Sequence, residues 1–541
     1  MIQQRESSLH ATTIERSNGL GADIGLFGHR QGLLMLWLMG LAVVCVRLLA
    51  FPLLPVDETR YLSVAWEMHQ SSNWLVPHIN GEPYPQKPPL MFWLLNIGWL
   101  LGIGSDFLSR LVVPMAGLMN VLALRALIVS VAPRQQQLAA LSPWLLLGAF
   151  SWQVFMALTM FDMLVCLFLL LALTSLFKAQ QSRYWAVVSG IAVGLGMLTK
   201  GPVFLLYWLP IGLSAFYWRP EHLALKRWYQ GLAVATVVGI AVILAWAIPA
   251  AMAGGSDYAQ AIFWRQSAGR VANAFAHTRP WYWYLTLLPL FLLPWVAIPF
   301  WKGRIAAAPW QRFVLCGFLP QLVLFSIISS KQLHYLIPTF PFAAVWLAGK
   351  WLELSGRRWG FMALLVAFAA AIGFLPELLA HSFPGSAVPG AMRWMALLPL
   401  LLAAWVYRRP FAMLVAFPLT VQLLLCLAGP VIRPYYDFKP FAQQITQMQD
   451  QGTPVAYIGH YANQFRFLGR GDKDLVALGK PADVQAWASQ HPQGLLVAVV
   501  KKPSEQMRRL ATEVYPYRTR FFVLMPSRDW LMLDTAAEDE E

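Results

Sequence analysis

A short polar segment follows the first long apolar run, and its residue types suit group-transfer chemistry. The segment "PVDETRYLSVAWEMHQSSNWLVPHINGEPYPQKPPL" begins at Pro55 and contains Asp57, Glu58, Arg60 and Lys87. A carboxylate can take a proton from an acceptor hydroxyl, and cations can stabilise a departing phosphate. A carboxylate also favours the positive charge that develops on a sugar during glycosyl transfer. These residue types supply the ingredients of such a reaction without specifying it.

Other polar side chains interrupt later apolar runs, where a charge is costly. Asp162 lies in "MALTMFDMLVCLFLL", which has no other charge, and Lys200 lies in "LTKGP" between two runs. A charge at bilayer depth costs about 2.5–3.5 kcal/mol, so retained charges usually face a cavity. We therefore expect one outward-facing polar site. Its later members are Arg270 and His277 in "FWRQSAGRVANAFAHTRPWYWYL", and Lys331 and Tyr335 in "SSKQLHYLIP".

Several of these residues also have a purely structural explanation. Asp57 and Glu58 can mark a helix start, where the helix dipole favours carboxylates. Lys200 can extend its ammonium group to the membrane interface. His277, taken alone, is more often structural than functional. The pattern itself leaves these alternatives open.

The composition indicates an integral membrane protein. Of 541 residues, 58% are hydrophobic and only 12% are charged, whereas soluble domains carry about 25% charged residues. The polar, mixed-charge residues 1–32 do not resemble a signal peptide, and we expect a cytoplasmic tail there. Four cysteines lie singly in apolar runs without metal-binding spacing, so we interpret them as apolar fillers: Cys45, Cys166, Cys316 and Cys426.

The apolar runs predict about thirteen transmembrane helices, because about twenty apolar residues cross the hydrocarbon core. The run at 88–104 is also apolar. Counting it as a span would place the later basic turns outside, so we interpret it as an interfacial or re-entrant helix. The predicted spans lie near residues 33–54, 108–131, 138–158, 161–178, 184–199, 202–218, 230–250, 282–300, 312–329, 335–352, 359–376, 392–407 and 411–431.

The formal net charge of +15 is spread over short turns between the predicted spans. A cytoplasmic N-terminus places almost every basic turn inside, as the positive-inside rule requires. Nucleic-acid binding would instead concentrate the basic residues in one patch or stripe, so we expect no nucleic-acid partner. The basic turns therefore predict a multi-pass membrane protein with its N-terminus in the cytoplasm.

The last hundred residues change to a charged pattern that predicts a small soluble α/β domain at 435–541. Three strand-like runs occupy 454–460, 494–500 and 520–526, and helix-like runs occupy 438–451 and 481–490. An odd number of spans places this domain in the periplasm. The membrane domain then covers 33–434, with a first outer loop at 55–107, and the fold class is an all-α polytopic membrane protein with a C-terminal α/β domain.

The segment from Asp57 resembles the first outer loop of the dolichyl-phosphate-mannose protein mannosyltransferase superfamily. It is most similar to the bacterial branch that contains the undecaprenyl-phosphate aminoarabinose transferase, which modifies lipid A. The resemblance continues in order through "LTMFDM", "GLGMLTKGP", "AFAHTRPWYWYL" and "SKQLHYLIPTFP". It implies the GT-C fold, with about thirteen transmembrane helices and an outer C-terminal domain.

The resemblance implies a role for each polar residue. Asp57 would be the leading catalytic carboxylate, supported by Glu58 and Arg60. Lys87, Lys200 and Arg270 would hold phosphate groups, whereas Asp162 and Tyr335 would shape the donor site. We therefore predict two sets: a catalytic set of Asp57, Glu58 and Asp162, and a substrate-binding set of Arg60, Lys87, Lys200, Arg270, His277, Lys331 and Tyr335.

The chain departs from the family pattern at Gln86. In the aminoarabinose branch a Glu commonly precedes the "KPP" lysine and can join a histidine in a metal site. Here Gln86 occupies that position, although His277 is retained. An amide is a weaker zinc ligand than a carboxylate, so we predict no obligatory metal or other cofactor, and the sugar is left open.

The resulting functional prediction is an inner-membrane glycosyltransferase. It would take a sugar from an undecaprenyl-phosphate donor and transfer it to lipid A or another envelope glycolipid at the periplasmic face, in contact with membrane lipids. A protein hydroxyl acceptor, as for a protein O-mannosyltransferase, is the alternative. A lipid-linked sugar transporter would predict inverted repeats, which the sequence lacks. A scaffold that binds envelope proteins would leave the polar residues unexplained.

Overall fold

The structure is a computed structural model that describes residues 30–103, 106–265, 278–298, 305, 308–353, 359–382 and 390–533. Its first part is almost entirely helical, because long Leu-, Ala- and Val-rich runs favour helices whose polar backbone is satisfied internally. The helices are α1 (Arg30–Ala50), α2 (Asp57–Ser71), α3 (Leu90–Leu100), α4 (Asp106–Val131), α5 (Gln136–Gly148), α6 (Phe150–Met156), α7 (Asp162–Lys178), α8 (Tyr184–Lys200), α9 (Leu205–Leu213), α10 (Ala215–Trp218), α11 (Leu225–Gln260), α12 (Trp283–Phe291), α13 (Pro309–Ile327), α14 (Phe340–Glu353), α15 (Trp359–Gly373), α16 (Leu375–Ser382), α17 (Leu397–Arg408) and α18 (Met413–Tyr436).

Six helices in the described part of the chain are long and apolar enough to cross a membrane, or up to eight if each bent pair forms one span. The polytopic membrane class predicted from the sequence is confirmed, whereas the number of about thirteen spans stays a prediction. Several predicted spans are shorter or broken in the structure. For example, α7 has 17 residues, and α5 and α6 meet at a bend of 67°.

The run predicted to be interfacial forms the eleven-residue helix α3. At 1.5 Å per residue it is about 16 Å long, roughly half the hydrocarbon thickness. It packs its apolar residues into the protein, with Phe92 and Leu95 fully buried. Before it, β1 (His78–Ile79) and β2 (Glu82–Pro83) form a small antiparallel hairpin.

Helices α8 and α11 approach closely because glycines line their contact. A Cβ on Gly190 would lie 2.5 Å from Val238 Cβ, and one on Gly194 would lie 2.4 Å from Val242 Cβ. From the other side, a Cβ on Gly239 would lie 2.5 Å from Val193 Cγ1. Small residues at such positions let membrane helices pack backbone to backbone. This contact fixes α8, whose last residue is Lys200.

The C-terminal region forms the predicted α/β domain around a five-stranded mixed sheet with strand order β4-β3-β5-β7-β6. Strand β3 pairs in parallel with β4 and β5, whereas β7 is antiparallel to β5 and β6. The elements are α19 (Lys439–Asp450), β3 (Val455–Ile458), α20 (Arg466–Gly469), β4 (Val476–Leu478), α21 (Pro481–Gln490), β5 (Leu495–Val500), α22 (Glu505–Leu510), β6 (Glu513–Tyr517), β7 (Arg520–Pro526) and α23 (Ser527–Trp530).

The three strands and two helices predicted for this domain are confirmed. Strand β4 was missed because it has only three residues, too few for an alternating pattern. Strand β6 was missed because it contains Pro516, which cannot donate to a sheet ladder and is confined to edges. The position of β6 at the end of the strand order accommodates it.

Candidate active site

Asp57 begins helix α2 and is the most exposed predicted carboxylate of the described site. Its side chain is 47% exposed and forms an ion pair with Arg60, one helical turn later. The guanidinium carbon of Arg60 lies 5.2 Å from the centroid of the Tyr61 ring. The helix dipole favours a carboxylate in this first turn, so the helix start and the site coincide. Asp57 is therefore accessible to a substrate and already charge-balanced.

Glu58, the next residue, is buried, and both of its carboxylate oxygens are engaged. Its Oε2 accepts from Arg47 Nη2 at 2.6 Å and from the Leu54 N–H at 2.8 Å. Its Oε1 accepts from the Thr159 N–H at 2.8 Å. Arg47 also donates to the carbonyls of Pro52 and Ala157. The Glu58 carboxylate joins the end of α1, the start of α2 and the turn before α7.

Asp162 and Lys200 meet in a buried ion pair. Lys200 Nζ lies 2.5 Å from Asp162 Oδ1, and their side chains are 7% and 3% exposed, respectively. Asp162 starts α7, and Lys200 ends α8 directly before Gly201, whose φ of +78° breaks the helix. The ammonium also lies 4.7 Å from the centroid of the Tyr335 ring. Three residues that are far apart in sequence are thus brought together.

Phe161 connects this ion pair to the first loop. Its ring centroid lies 4.8 Å from that of Tyr61 and 5.8 Å from that of Phe92. Lys87 Nζ lies 5.7 Å from the same ring. Phe161 is 2% exposed, so these ring contacts are buried. Lys87 thus lies against the residue that directly precedes Asp162.

The imidazole of His334 lies close enough to the charged side chains of the site for their charges to act on its pKa. Burial lowers the pKa of His334 to about 4, and the charges of four site residues act on it as well. Its ring centroid lies 4.8 Å from that of Tyr335. A neutral imidazole at this position adds no charge to the site. The four residues that act on it are Asp162, Lys200, Lys87 and Asp57.

Lys331 has a different environment from the other predicted cations. Its Nζ donates to the carbonyls of Ile328 at 2.6 Å and Arg279 at 3.0 Å, and the residue is 3% exposed. A bridge between Thr278 and Ser330 joins the same two segments. The ammonium of Lys331 therefore stabilises a loop crossing, and it does not join the Asp162–Lys200 pair.

Comparison with known proteins shows which sequences and folds this chain resembles. Residues 86–247 match the family model for dolichyl-phosphate-mannose-protein mannosyltransferase. Undecaprenyl phosphate-alpha-4-amino-4-deoxy-L-arabinose arabinosyl transferases are similar over much of the chain. The protein from Edwardsiella ictaluri is 29% identical over 62% of this chain and 63% of its own length. The corresponding values for Pectobacterium carotovorum are 31%, 59% and 60%. These matches span about three fifths of the curated relatives' length.

A crystal structure of ArnT from Cupriavidus metallidurans bound to undecaprenyl phosphate has the same fold, with a TM-score of 0.73. It is 20% identical, and the match covers 92% of this chain and 98% of that one. This chain therefore has the GT-C fold, and its sequence resembles the aminoarabinose transferase branch of the mannosyltransferases. The membrane fold and the C-terminal domain of the GT-C protein are therefore shared along nearly the whole chain.

Two of the predicted site residues, Arg270 and His277, lie outside the described residues. Within the described part of the chain, no group of three or more His, Cys, Asp or Glu side chains could hold a metal ion. Gln86 is exposed beside Lys87. The metal site of the aminoarabinose branch would involve His277, so the expectation that no metal is obligatory stays a prediction.

Two structurally important charges of the site region were not singled out from the sequence. Arg47 is the only charge within the apolar run "LLMLWLMGLAVVCVRLLA", which is the same signal that identified Asp162. It could have been found by that rule. Glu67 lies in the polar first loop, where a charge is ordinary, and no local signal distinguishes it.

Proposed function

We propose that the protein is an integral-membrane glycosyltransferase that takes a sugar from an undecaprenyl-phosphate-linked donor. The preferred acceptor is lipid A or another envelope glycolipid at the periplasmic face of the inner membrane. The observation that carries this proposal is the arrangement around Phe161. An exposed carboxylate, Asp57, lies in the same polar region as the Lys87 ammonium and the buried Asp162–Lys200 pair.

The proposed reaction breaks the bond between the anomeric carbon of the sugar and a phosphate oxygen. The electron pair of that bond leaves with the phosphate, and an acceptor oxygen forms the new bond to the anomeric carbon. Lys87 would offset the negative charge on the leaving phosphate, as preorganised cations do in phosphoryl chemistry, and Arg60 would hold the Asp57 carboxylate in place. Asp57 would stabilise the positive charge that develops on the sugar.

The nature of the acceptor decides whether Asp57 must also accept a proton. A phosphate of lipid A is already ionised, so the role of Asp57 would be electrostatic. A serine or threonine hydroxyl must lose its proton, and Asp57 would then act as a general base. The 47% exposure of the Asp57 side chain allows an acceptor to approach it, and the family model for protein mannosyltransferases keeps the hydroxyl acceptor as the second candidate.

The proposed orientation places the N-terminus in the cytoplasm and the C-terminal domain in the periplasm. It rests on the basic turns of the sequence, which the positive-inside rule assigns to the cytoplasm. A lipid-linked donor would enter from the bilayer, and its phosphate would reach the polar residues of the first loop. The proposal includes no obligatory metal, because Gln86 replaces the carboxylate that usually precedes the lysine.

The test is transfer by the purified full-length protein in proteoliposomes. Undecaprenyl-phosphate aminoarabinose is supplied with lipid A or with a Ser/Thr peptide, and undecaprenyl-phosphate sugars of other types form a donor series. We expect transfer to lipid A and a loss of about 100-fold or more for Asp57→Asn, the size typical of removing one electrostatic stabiliser of the transition state. The matched control is Asp450→Asn, which changes an exposed carboxylate of the C-terminal domain. Undiminished turnover of Asp57→Asn would remove its central role.

A further inference from the structure

The C-terminal domain contacts the first loop through a buried carboxylate, Glu67, that takes no part in the site described above. Glu67 is 5% exposed and lies ten residues after Asp57 on helix α2. Its Oε1 accepts from the Gly81 N–H at 2.8 Å, and its Oε2 accepts from the Asn80 N–H at 2.9 Å. Two residues of the C-terminal domain complete this contact, with Asn463 Nδ2 at 3.2 Å and Arg466 Nη1 at 3.6 Å from Oε2.

The residues that Glu67 holds form the turn of the β1–β2 hairpin. Asn80 and Gly81 have φ values of +53° and +80°, which is the pattern of a two-residue type I′ turn. Both backbone N–H groups of this turn point at one carboxylate. A single side chain of α2 therefore fixes the position of the turn.

The C-terminal domain holds the same turn from the opposite side. Asn80 Nδ2 donates to the Leu475 carbonyl, and the Leu475 N–H donates to Asn80 Oδ1, each at 2.9 Å. A Cβ on Gly81 would lie 2.7 Å from Asp474 Oδ2, so the turn packs tightly against the domain. The hairpin is thus clamped between α2 and the C-terminal domain.

The position of the hairpin determines the position of Lys87. The Tyr84 N–H donates to the Pro77 carbonyl at 2.7 Å, which closes the base of the hairpin three residues before Lys87. Pro85 lies two residues before Lys87, and Pro88 and Pro89 directly follow Lys87. Because the proline ring fixes φ, the backbone between the turn and Lys87 has restricted freedom.

We propose that the C-terminal domain is a positioning element of the transferase and that Glu67 is the positioning residue through which it orients Lys87. The inference rests on the proposed function in one respect, since it takes Lys87 to bind the donor phosphate. Within the part of the chain that the structure describes, the polar partners of Glu67 lie in the hairpin turn and the C-terminal domain and do not include Asp162 or Lys200. Its effect on binding is exerted through the hairpin and depends on Lys87.

The experiment measures binding of undecaprenyl phosphate to the full-length protein in nanodiscs by native mass spectrometry. The variants are Glu67→Gln, Lys87→Gln and the double variant. In Glu67→Gln, the amide nitrogen of the new side chain would face backbone N–H donors instead of accepting from them, which releases the turn. The matched control is Glu505→Gln, because the Glu505 side chain is 91% exposed in the C-terminal domain. Hydrogen exchange at residues 78–84 is measured on the same samples.

We expect each single variant to weaken binding about tenfold, the size that loss of one charge-assisted hydrogen bond allows. The double variant should bind no more weakly than Lys87→Gln, because Glu67 acts through Lys87. Exchange at 78–84 should rise in Glu67→Gln, and Glu505→Gln should match the wild type. A purely structural role for Glu67 would instead give losses that multiply in the double variant.

Three results would overturn the inference: wild-type binding by Glu67→Gln, multiplied losses in the double variant, or unchanged exchange at 78–84. Wild-type binding by Lys87→Gln, with loss in Glu67→Gln, would refute the phosphate role of Lys87 in the proposed function and the link between the two residues. If Glu67→Gln fails to fold, Asn80→Gly replaces it. Glycine accepts the positive φ of this position and removes only the amide that pairs with Leu475.

Discussion

The substitution Glu58→Gln separates a positioning role from a catalytic one at the residue beside Asp57. The carboxylate accepts three hydrogen bonds, from Arg47 at 2.6 Å and from the N–H groups of Leu54 and Thr159, both at 2.8 Å. A glutamine retains one acceptor oxygen and turns an amide nitrogen towards donors. It also leaves the Arg47 guanidinium, 6% exposed, without its counter-charge.

The expected cost follows from the burial of this pair. Removing one partner of a buried ion pair destabilises a protein by about 3–5 kcal/mol, because the other charge is left uncompensated. Adding the three charge-assisted hydrogen bonds separately would give about 4.5–9 kcal/mol, which counts the shared desolvation more than once. We therefore expect about 3–5 kcal/mol for Glu58→Gln, and a smaller loss for Arg47→Met/Glu58→Gln, in which no charge remains.

The assay is unfolding in detergent micelles, followed by intrinsic fluorescence, together with turnover at a temperature where each variant stays folded. A positioning role predicts a large stability loss for Glu58→Gln and partial recovery in the double variant. The matched control is Glu505→Gln, whose exposed side chain should leave both readouts unchanged. Wild-type stability with abolished turnover would refute the positioning role and return Glu58 to the catalytic set.

Three further predictions concern the rest of the site. Asp162→Asn and Lys200→Met should each lower the unfolding midpoint more than the double variant does, because each leaves one buried charge unpaired; additive losses would contradict this. His334 has a pKa lowered from 6.5 to about 4, so the unfolded state binds the extra proton as the pH falls below about 6.5. The free energy of unfolding should therefore decline as the pH falls from about 6.5 to about 4. In a pH series of unfolding midpoints, the His334→Gln variant should show a smaller decline than the wild type. Dialysis against EDTA should leave transfer activity unchanged, whereas a loss of activity that only an added divalent metal restores would contradict the prediction that no metal is obligatory.

Much of the fold could be predicted because the signals are local. The α/β domain has alternating strands such as Leu495–Val500 that stand out from the surrounding polar residues. The number of spans was less accessible, since length alone does not show that α5 and α6 bend by 67°. That bend occurs at Ala149, whose extended backbone has no sequence signal.

Part of the candidate site could also be predicted, because some of its residues have local sequence signals. Asp162 and Lys200 are isolated charges beside apolar runs, so the sequence marks each of them, and the structure pairs them. The Glu67 contact could not be predicted, because Asn463 lies 396 residues away and both residues sit in ordinary polar segments. Only the docking of the C-terminal domain on the first loop brings them together.

The paired carboxylates at the start of α2 show why residue type and position do not assign a role. Asp57 and Glu58 are adjacent, both lie in the first helical turn, and both fit the same family motif. The helix turns by about 100° per residue, so it presents Asp57 to the open side and Glu58 to Arg47. The side chains are 47% and 4% exposed, respectively. A carboxylate that accepts three hydrogen bonds has little capacity left for a substrate proton. The neighbouring one, held by Arg60, remains accessible to the sugar of the proposed donor, and the helix geometry accounts for this difference between the two carboxylates.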